Sequence, residues 1–178
     1  GLPELWRDRI RNAQLVANPG CYTTASILAV SALLREEGLA DKKHIIIDAK
    51  SGITGSGRKA NVSLLYAEAG ESIKAYGIAN HRHTPEIEEQ LGYAAGKNIT
   101  VTFTPHLAPM NRGILATIYI DLLKDVTEDD LYAIYQKYYG DEKFVRIRRG
   151  MCETRFVTGT NYCDISVRVD RRTNRAII

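Results

Sequence analysis

The sequence has 178 residues, a hydrophobic fraction of 44% and a charged fraction of 25%, a composition typical of a globular chain with one sizeable core. A net charge of +3 without a dense basic run does not favour nucleic-acid binding, and the longest apolar run, residues 25–34, is too short to span a bilayer. Three cysteines are an odd number without disulfide-framework spacing, so we expect a soluble, cytoplasmic protein with reduced thiols and no membrane partner.

The first chemically informative stretch surrounds Cys21. Leu15–Ala17 is predicted as a strand, Pro19 and Gly20 as a tight turn, and the run 25–34, apolar on every face, as an interior helix. This order puts Cys21 at or near a helix N-terminus, where free N–H groups and the helix dipole favour an anion. The sequence therefore predicts a nucleophilic thiol, with a buried structural cysteine as the alternative.

The rest of the chain mixes helices and long strands without a regular strand–helix repeat. Residues 43–49 carry an isoleucine run that predicts burial on both faces, and Thr84 is the predicted N-cap of a helix with Pro85 at its first position. Helices are predicted over 5–11, 84–95 and 126–138, and strands over 43–49, 73–78, 99–104, 113–122, 144–147 and 162–169. The predicted class is α+β, a mixed sheet covered by helices, with one sheet face free to pair with another subunit.

A second cluster of polar residues runs from Asn80 to Glu86. If it is extended, His81 and His83 project to the same side, and Glu86 follows in the first turn of the next helix. One imidazole could act with Cys21 as a general acid/base that Glu86 orients, or the two histidines and the carboxylate could bind a metal. A polar surface loop is the third interpretation.

Two loops are candidates for contact with a ligand. Ser51 and Gly52 begin a glycine-rich loop, but its spacing is neither the G-x-G-x-x-G dinucleotide fingerprint nor a phosphate-binding loop. Arg58 in that loop and Arg112, between two later strands, are candidate anion ligands. Mobile or structural loops with surface arginines are the alternatives.

Six motifs in one order resemble the N-acetyl-gamma-glutamyl-phosphate reductase family of arginine biosynthesis. The motifs are Leu2-Pro3-Glu4-Leu5, Ala17-Asn18-Pro19-Gly20-Cys21-Tyr22-x-Thr24, Ser51-Gly52-x-x-Gly55-x-Gly57-Arg58, His81-Arg82-His83-x-Pro85-Glu86-Ile87, Pro105-His106-Leu107-x-Pro109-Met110-x-Arg112-Gly113 and Gly159-Thr160-Asn161. They extend over essentially the whole chain. One departure is Thr23, where the family commonly has proline.

The resemblance implies a two-domain oxidoreductase of which residues 1–178 are the catalytic and oligomerisation domain. Its fold would be that of the C-terminal catalytic domain of glyceraldehyde-3-phosphate dehydrogenase, and the Rossmann domain that binds most of the NADPH would lie outside this chain. A homo-oligomer, a dimer or a tetramer, and a small acyl-phosphate substrate are implied.

The same resemblance implies roles for individual residues. Cys21 would form a thioester with the acyl group, and His81 or His83, oriented by Glu86, would supply the acid/base. A further set would line the substrate or nicotinamide side of the site: Ser51, Gly52, Arg58 and Arg112. No metal is implied.

Three other functions remain open from the sequence. The chain could be a Cys–His hydrolase or transferase that needs no NADPH, or a metal hydrolase that uses His81 and His83. As an isolated piece it could also be a non-catalytic oligomerisation module.

Overall fold

The computed structural model covers residues 1–178 and contains five helices and eight strands. The helices are α1 Pro3–Arg11, α2 Cys21–Leu34, α3 Tyr66–Ala69, α4 Thr84–Ala95 and α5 Glu128–Tyr139. The strands are β1 Ala40–Gly52, β2 Lys74–Ala75, β3 Val101–Ala108, β4 Ile114–Leu122, β5 Val145–Ile147, β6 Cys163–Ile165, β7 Arg168–Asp170 and β8 Arg175–Ile177. No helix combines the length and the apolar character needed to cross a lipid bilayer.

Six of the strands form one mixed sheet in the order β2-β3-β1-β4-β8-β7. The β1–β3 pair is parallel, whereas β1–β4, β2–β3, β4–β8 and β7–β8 are antiparallel. The remaining strands, β5 and β6, form a separate parallel pair. The predicted α+β class with a mixed sheet is therefore confirmed.

Helix α2 is the centre of the core. Tyr22 and all residues from Ile27 to Leu34 are buried, because the helix lies between the sheet and the helices α4 and α5. Two buried hydroxyls tie α5 to it: Tyr135 donates to the carbonyl of Ala29 at 2.5 Å, and Tyr139 donates to the carbonyl of Leu28 at 2.8 Å. These bonds fix the position of the helix whose first residue is Cys21.

The sheet has one covered face and one open face. Ile45 and Ile47 of β1 are buried, but Ile46 between them is 38% exposed. The open face is the side of the sheet that carries Ile46, its neighbour Tyr119 across the pair with β4, and Leu115 further along that strand. The prediction that residues 43–49 are buried on both faces is wrong, because helices cover only one of them.

Two predictions of local structure, one strand and one helix N-cap, are also wrong. Leu15–Ala17 is not a strand but irregular chain with exposed side chains, and it has no neighbouring strand to complete a ladder. Helix α4 begins at Thr84, so its N-cap is His83 and not Thr84. The shift by one residue puts His83 itself at the entrance of the helix.

Candidate active site

Cys21 is the first residue of α2, as the sequence predicts, and its side chain is exposed. The N-cap is Gly20, whose carbonyl accepts the Thr24 N–H at 2.9 Å and the hydroxyls of Thr23 and Thr24 at 2.6 and 2.9 Å. The backbone N–H groups of Cys21, Tyr22 and Thr23 have no hydrogen-bond partner. The thiol therefore lies beside unpaired donors at the positive end of a helix dipole.

His83 packs directly on the turn that precedes Cys21. A methyl group added to Gly20 would lie 2.2 Å from Cε1 and 2.8 Å from Nε2 of the imidazole, so the ring occupies the space that any side chain at Gly20 would need. On its other side, His83 Nδ1 lies 3.6 Å from Oε2 of Glu86. The structure thus brings His83, Glu86 and the Cys21 turn together.

His81 lies beside His83, is half-buried like it, and is surrounded by four rings. Its ring centroid is 5.8 Å from that of Tyr22, 5.5 Å from Tyr76, 5.3 Å from Phe103 and 5.1 Å from His83. Burial lowers the pKa of His81, and the charges of His83 and Arg82 lower it further.

The segment that carries the two histidines is a turn and not an extended strand. The His83 N–H donates to Nδ1 of His81 at 3.2 Å, and the Thr84 N–H donates to the His81 carbonyl at 3.0 Å. The two imidazoles are neighbours because the chain reverses direction there, not because they alternate along a strand.

Sequence reasoning missed the aromatic residues around His81. The Tyr22 hydroxyl donates to the carbonyl of His106 at 3.2 Å and accepts the hydroxyl of Tyr76 at 3.2 Å. Burial raises the pKa of Tyr22, and the bond with Tyr76 adds to the shift. Tyr22 was visible as the residue after Cys21, but no sequence signal connects Tyr76 or Phe103 to it.

A cavity of about 580 Å³ opens beside Cys21. Ser51, Gly52 and Arg112 line it, as does the apolar side chain of Met151. Of the other predicted site residues, four do not line the cavity: Arg58, His81, His83 and Glu86. Cys21 itself lines the cavity, and the residue before it, Gly20, contacts His83.

Gly52 has a structural reason to lack a side chain. An added Cβ would lie 2.7 Å from the backbone nitrogen of Arg112 and 2.7 Å from the carbonyl oxygen of Asn111. The Gly52 N–H donates to the carbonyl of Gly113 at 2.9 Å. This close backbone contact holds Arg112 at the wall of the cavity.

Cys152 and Cys163 line the same cavity but differ from Cys21 in burial. Burial raises the pKa of Cys152, and it raises the pKa of Cys163 to about 12. All three thiols are free. Because a thiolate is the reactive form of cysteine, the two partly buried thiols are the poorer nucleophiles.

One cluster in the chain has the composition of a metal site, and it includes neither His81 nor His83. Asp41, His44 and Asp121 have donor atoms within 4.8 Å of one another. Asp121 also accepts from Nε of Arg175 at 2.5 Å, so a cation already neutralises this carboxylate. The cluster is separate from the turn around Cys21.

Comparison with known sequences identifies relatives over the whole chain. The family described as "Semialdehyde dehydrogenase, dimerisation domain" matches residues 21–178. Proteins named N-acetyl-gamma-glutamyl-phosphate reductase are 52% identical in Campylobacter jejuni, 53% in Lachnospira eligens and 47% in Clostridium novyi, each over 100% of this chain. The chain spans about half the length of these relatives, 52%, 52% and 51% respectively.

Comparison with solved structures identifies the same fold at low sequence identity. Aspartate semialdehyde dehydrogenase II of Vibrio cholerae matches with a TM-score of 0.71 at 14% identity, over 98% of this chain and 59% of that one. The enzyme of Francisella tularensis matches with a TM-score of 0.63 at 14% identity, over 99% and 63%. The architecture described above is therefore one that these proteins share.

Proposed function

Because the chain belongs to the semialdehyde dehydrogenase dimerisation-domain family, which matches residues 21–178, we propose that it is the catalytic domain of an N-acetyl-gamma-glutamyl-phosphate reductase. The reaction would be the NADPH-dependent conversion of an acyl phosphate to an aldehyde and inorganic phosphate. Relatives that bear this enzyme's name are about 50% identical over the whole chain. Their doubled length supports a second domain that binds the nucleotide.

The observation that carries the proposal is the surroundings of Cys21. An exposed thiol at the start of α2, unpaired N–H donors beside it and an imidazole on the preceding glycine are the parts that acyl transfer to cysteine needs. The cavity that Cys21 lines offers the substrate a place to bind.

In the proposed reaction, the Cys21 thiolate attacks the acyl carbon, a carbon–sulfur bond forms and the carbon–oxygen bond to phosphate breaks. The N–H groups of Cys21, Tyr22 and Thr23 stabilise the negative oxygen of the tetrahedral state. In other enzymes, one such donor contributes about 3–4 kcal/mol. Arg112 at the cavity wall is the candidate ligand for an anionic group of the substrate.

We assign the acid/base role to His83 in preference to His81. His83 contacts Gly20 next to the nucleophile, and the carboxylate of Glu86 lies at its Nδ1, which leaves Nε2 available for proton transfer. It would take the thiol proton before the attack and give it to the oxygen that hydride addition leaves negative. When the hemithioacetal collapses to aldehyde and thiol, it would carry the hydroxyl proton to sulfur.

The cavity beside Cys21 is the candidate position of the nicotinamide ring. Its walls beside Cys21 are largely apolar, and the glycine loop over residues 52–57 lacks the phosphate-binding fingerprint. When bound, reduced nicotinamide supplies the hydride that converts the thioester to the hemithioacetal. This chain would contribute the apolar wall and Ser51, while phosphates and adenine would bind elsewhere in a two-domain enzyme.

The family's description as a dimerisation domain implies that the chain oligomerises. We propose that the open face of the sheet is the contact, because no helix packs on it and Ile46 and Leu115 are about two-fifths exposed there. Three free thiols support a reducing, cytoplasmic location.

Alkylation of the three thiols by iodoacetamide across pH, measured for each cysteine by mass spectrometry, tests the nucleophile. We expect Cys21 to react fastest, with Cys152 and Cys163 as internal controls whose pKa values burial raises. In a two-domain reductase that contains this chain, Cys21→Ser should abolish turnover. Turnover retained in this variant would refute the proposed mechanism, and turnover of esters without NADPH would favour a hydrolase.

A further inference from the structure

His81 has a different environment from His83, although the two lie two residues apart. Its half-buried ring packs against the aromatic pocket, formed by Tyr22, Tyr76 and Phe103, and it has no carboxylate partner. It also lies close to Gly77, where an added Cβ would come within 3.0 Å of the ring carbon Cδ2. The ring is therefore packed between three aromatic side chains and the backbone at Gly77.

A hydrogen bond from the backbone of His83 to the ring of His81 indicates the role of His81. Nδ1 of His81 accepts the backbone N–H of His83 at 3.2 Å, which requires a lone pair on Nδ1 and therefore the neutral ring protonated at Nε2. That N–H belongs to the N-cap residue of α4, at the point where the chain enters the helix. The bond thus fixes the backbone that carries the His83 imidazole.

We propose that His81 is a positioning residue: held neutral in the aromatic pocket, it accepts the His83 N–H and thereby keeps the His83 imidazole against Gly20, beside Cys21. This inference rests on the proposed function, in which His83 is the acid/base. His81 would touch neither the substrate nor the reacting atoms.

The surroundings of the pocket support this role. Burial and the neighbouring charges of His83 and Arg82 lower the pKa of His81, so the neutral form persists at physiological pH. Tyr22 connects the pocket to the nucleophile, since it follows Cys21 in α2 and its hydroxyl binds both Tyr76 and the carbonyl of His106. Tyr22 therefore links the aromatic pocket around His81 to the start of α2, where Cys21 lies.

Two substitutions separate positioning from proton transfer in the two-domain reductase. In His81→Asn, the side-chain oxygen can accept the same N–H, because asparagine bonds readily to a backbone group two residues on. In His81→Phe, the ring fills the pocket but has no acceptor. We expect kcat within about tenfold of the wild-type value for Asn and a loss of about 100-fold for Phe, the size of effect that misplacement of a catalytic group produces. KM should change little in either variant.

Equal inactivation by Asn and Phe, with both proteins folded, would identify His81 as the acid/base and overturn the proposal. Full activity in both would also overturn it, because the contact would then be dispensable. Rescue by Asn alone supports it.

A spectroscopic measurement on this chain gives a result even if His81→Phe does not fold. Imidazole nitrogen NMR should report an unprotonated Nδ1 and a protonated Nε2 on His81 at pH 7. A proton on Nδ1 would overturn the proposal. Failure of the proposed function is a separate result, because it would appear as turnover in Cys21→Ser while the nitrogen spectrum of His81 stayed as expected.

Discussion

At the scale of single residues, Gly20 and Gly52 lack a side chain for different physical reasons. An added Cβ at Gly20 would meet the imidazole of His83, which is the mobile end of a side chain. An added Cβ at Gly52 would meet the backbone of Asn111 and Arg112, which cannot move away. Substitution at Gly20 should therefore affect catalysis, and substitution at Gly52 should affect stability.

Gly20→Ala should lower kcat/KM of the proposed two-domain reductase about 100-fold, because the new methyl group displaces the imidazole of His83 from its place against Gly20. The free energy of unfolding should change little, since the imidazole can rotate towards solvent. Gly150→Ala is the control, because a Cβ there has no atom within 4 Å. Wild-type kinetics in Gly20→Ala would show that the position of His83 is unimportant.

Gly52→Ala should destabilise the chain by about 1–3 kcal/mol, the usual cost of forcing an extra methyl group into a packed site. Urea unfolding measures the change, again with Gly150→Ala as the control. An unchanged midpoint would mean that the loop over residues 110–112 can withdraw from β1 without cost.

The lowered pKa of His81 predicts a pH dependence of stability. The unfolded chain binds a proton near the ordinary pKa of about 6.5, whereas the folded chain binds it only at lower pH. Stability should therefore fall as the pH decreases from 7 through 6.5 towards the folded-state pKa. Tyr22, Tyr76, His83 and Arg82 are the titratable or charged groups that face His81, and all remain in His81→Asn.

Urea unfolding at pH 7 and pH 5 tests this dependence. The wild-type chain should lose more stability between these two values than His81→Asn does. Equal losses in the two proteins would show that burial does not disfavour protonation of His81.

At the scale of the elements, α5 is the clearest case of a helix whose start is determined locally. The Thr127 hydroxyl accepts the Asp130 N–H at 3.1 Å, and the Asp130 carboxylate accepts the Thr127 N–H at 2.8 Å. This capping box satisfies two backbone groups at once. It fixes the start of α5, the helix that carries the buried Tyr135 and Tyr139, which bind the carbonyls of α2.

Thr127→Ala should cost about 1 kcal/mol of stability, because the Asp130 N–H loses its acceptor. Thermal or urea unfolding measures this, and Thr127→Ser, which keeps the hydroxyl, should stay close to wild type. A Ser variant as unstable as the Ala variant would mean that the threonine methyl group, and not the cap, is what matters.

At the scale of the whole molecule, the two faces of the sheet differ in what packs against them. The covered face holds α2 and hence positions Cys21, while the open face presents Ile46 and Leu115 between polar neighbours. A partly apolar face without a cover is the surface that a second copy of the chain would bury.

Ile46→Lys should shift self-association towards monomer, because it puts a charge at the centre of the open face. Sedimentation velocity measures the change. Val62→Lys is the matched control, because Val62 is 71% exposed and lies outside the sheet. A wild-type chain that is strictly monomeric, or an Ile46→Lys chain that associates normally, would contradict the proposed contact.

Local sequence signals by themselves determine several helix starts and the fold class of this protein. The Pro19-Gly20 turn followed by an apolar run is enough to predict a helix that starts at Cys21, since both signals lie within a few residues of the thiol. The same holds for α4 and α5, which carry their own start signals. The mixed α+β class follows from the order of these elements, and the motifs around Cys21, His81 and Arg112 predict the family.

Tertiary packing determines those features of the site and the sheet that depend on contacts between residues far apart in the sequence. The sequence does not rank His81 above His83, and tertiary contacts such as that of His81 with Phe103 and that of His83 with Gly20 distinguish them. The isoleucine run of β1 looks buried on both faces, but helices cover one face, so Ile46 is exposed. Leu15–Ala17 has strand propensity and no partner strand, because a ladder needs a second chain segment that a local pattern cannot supply.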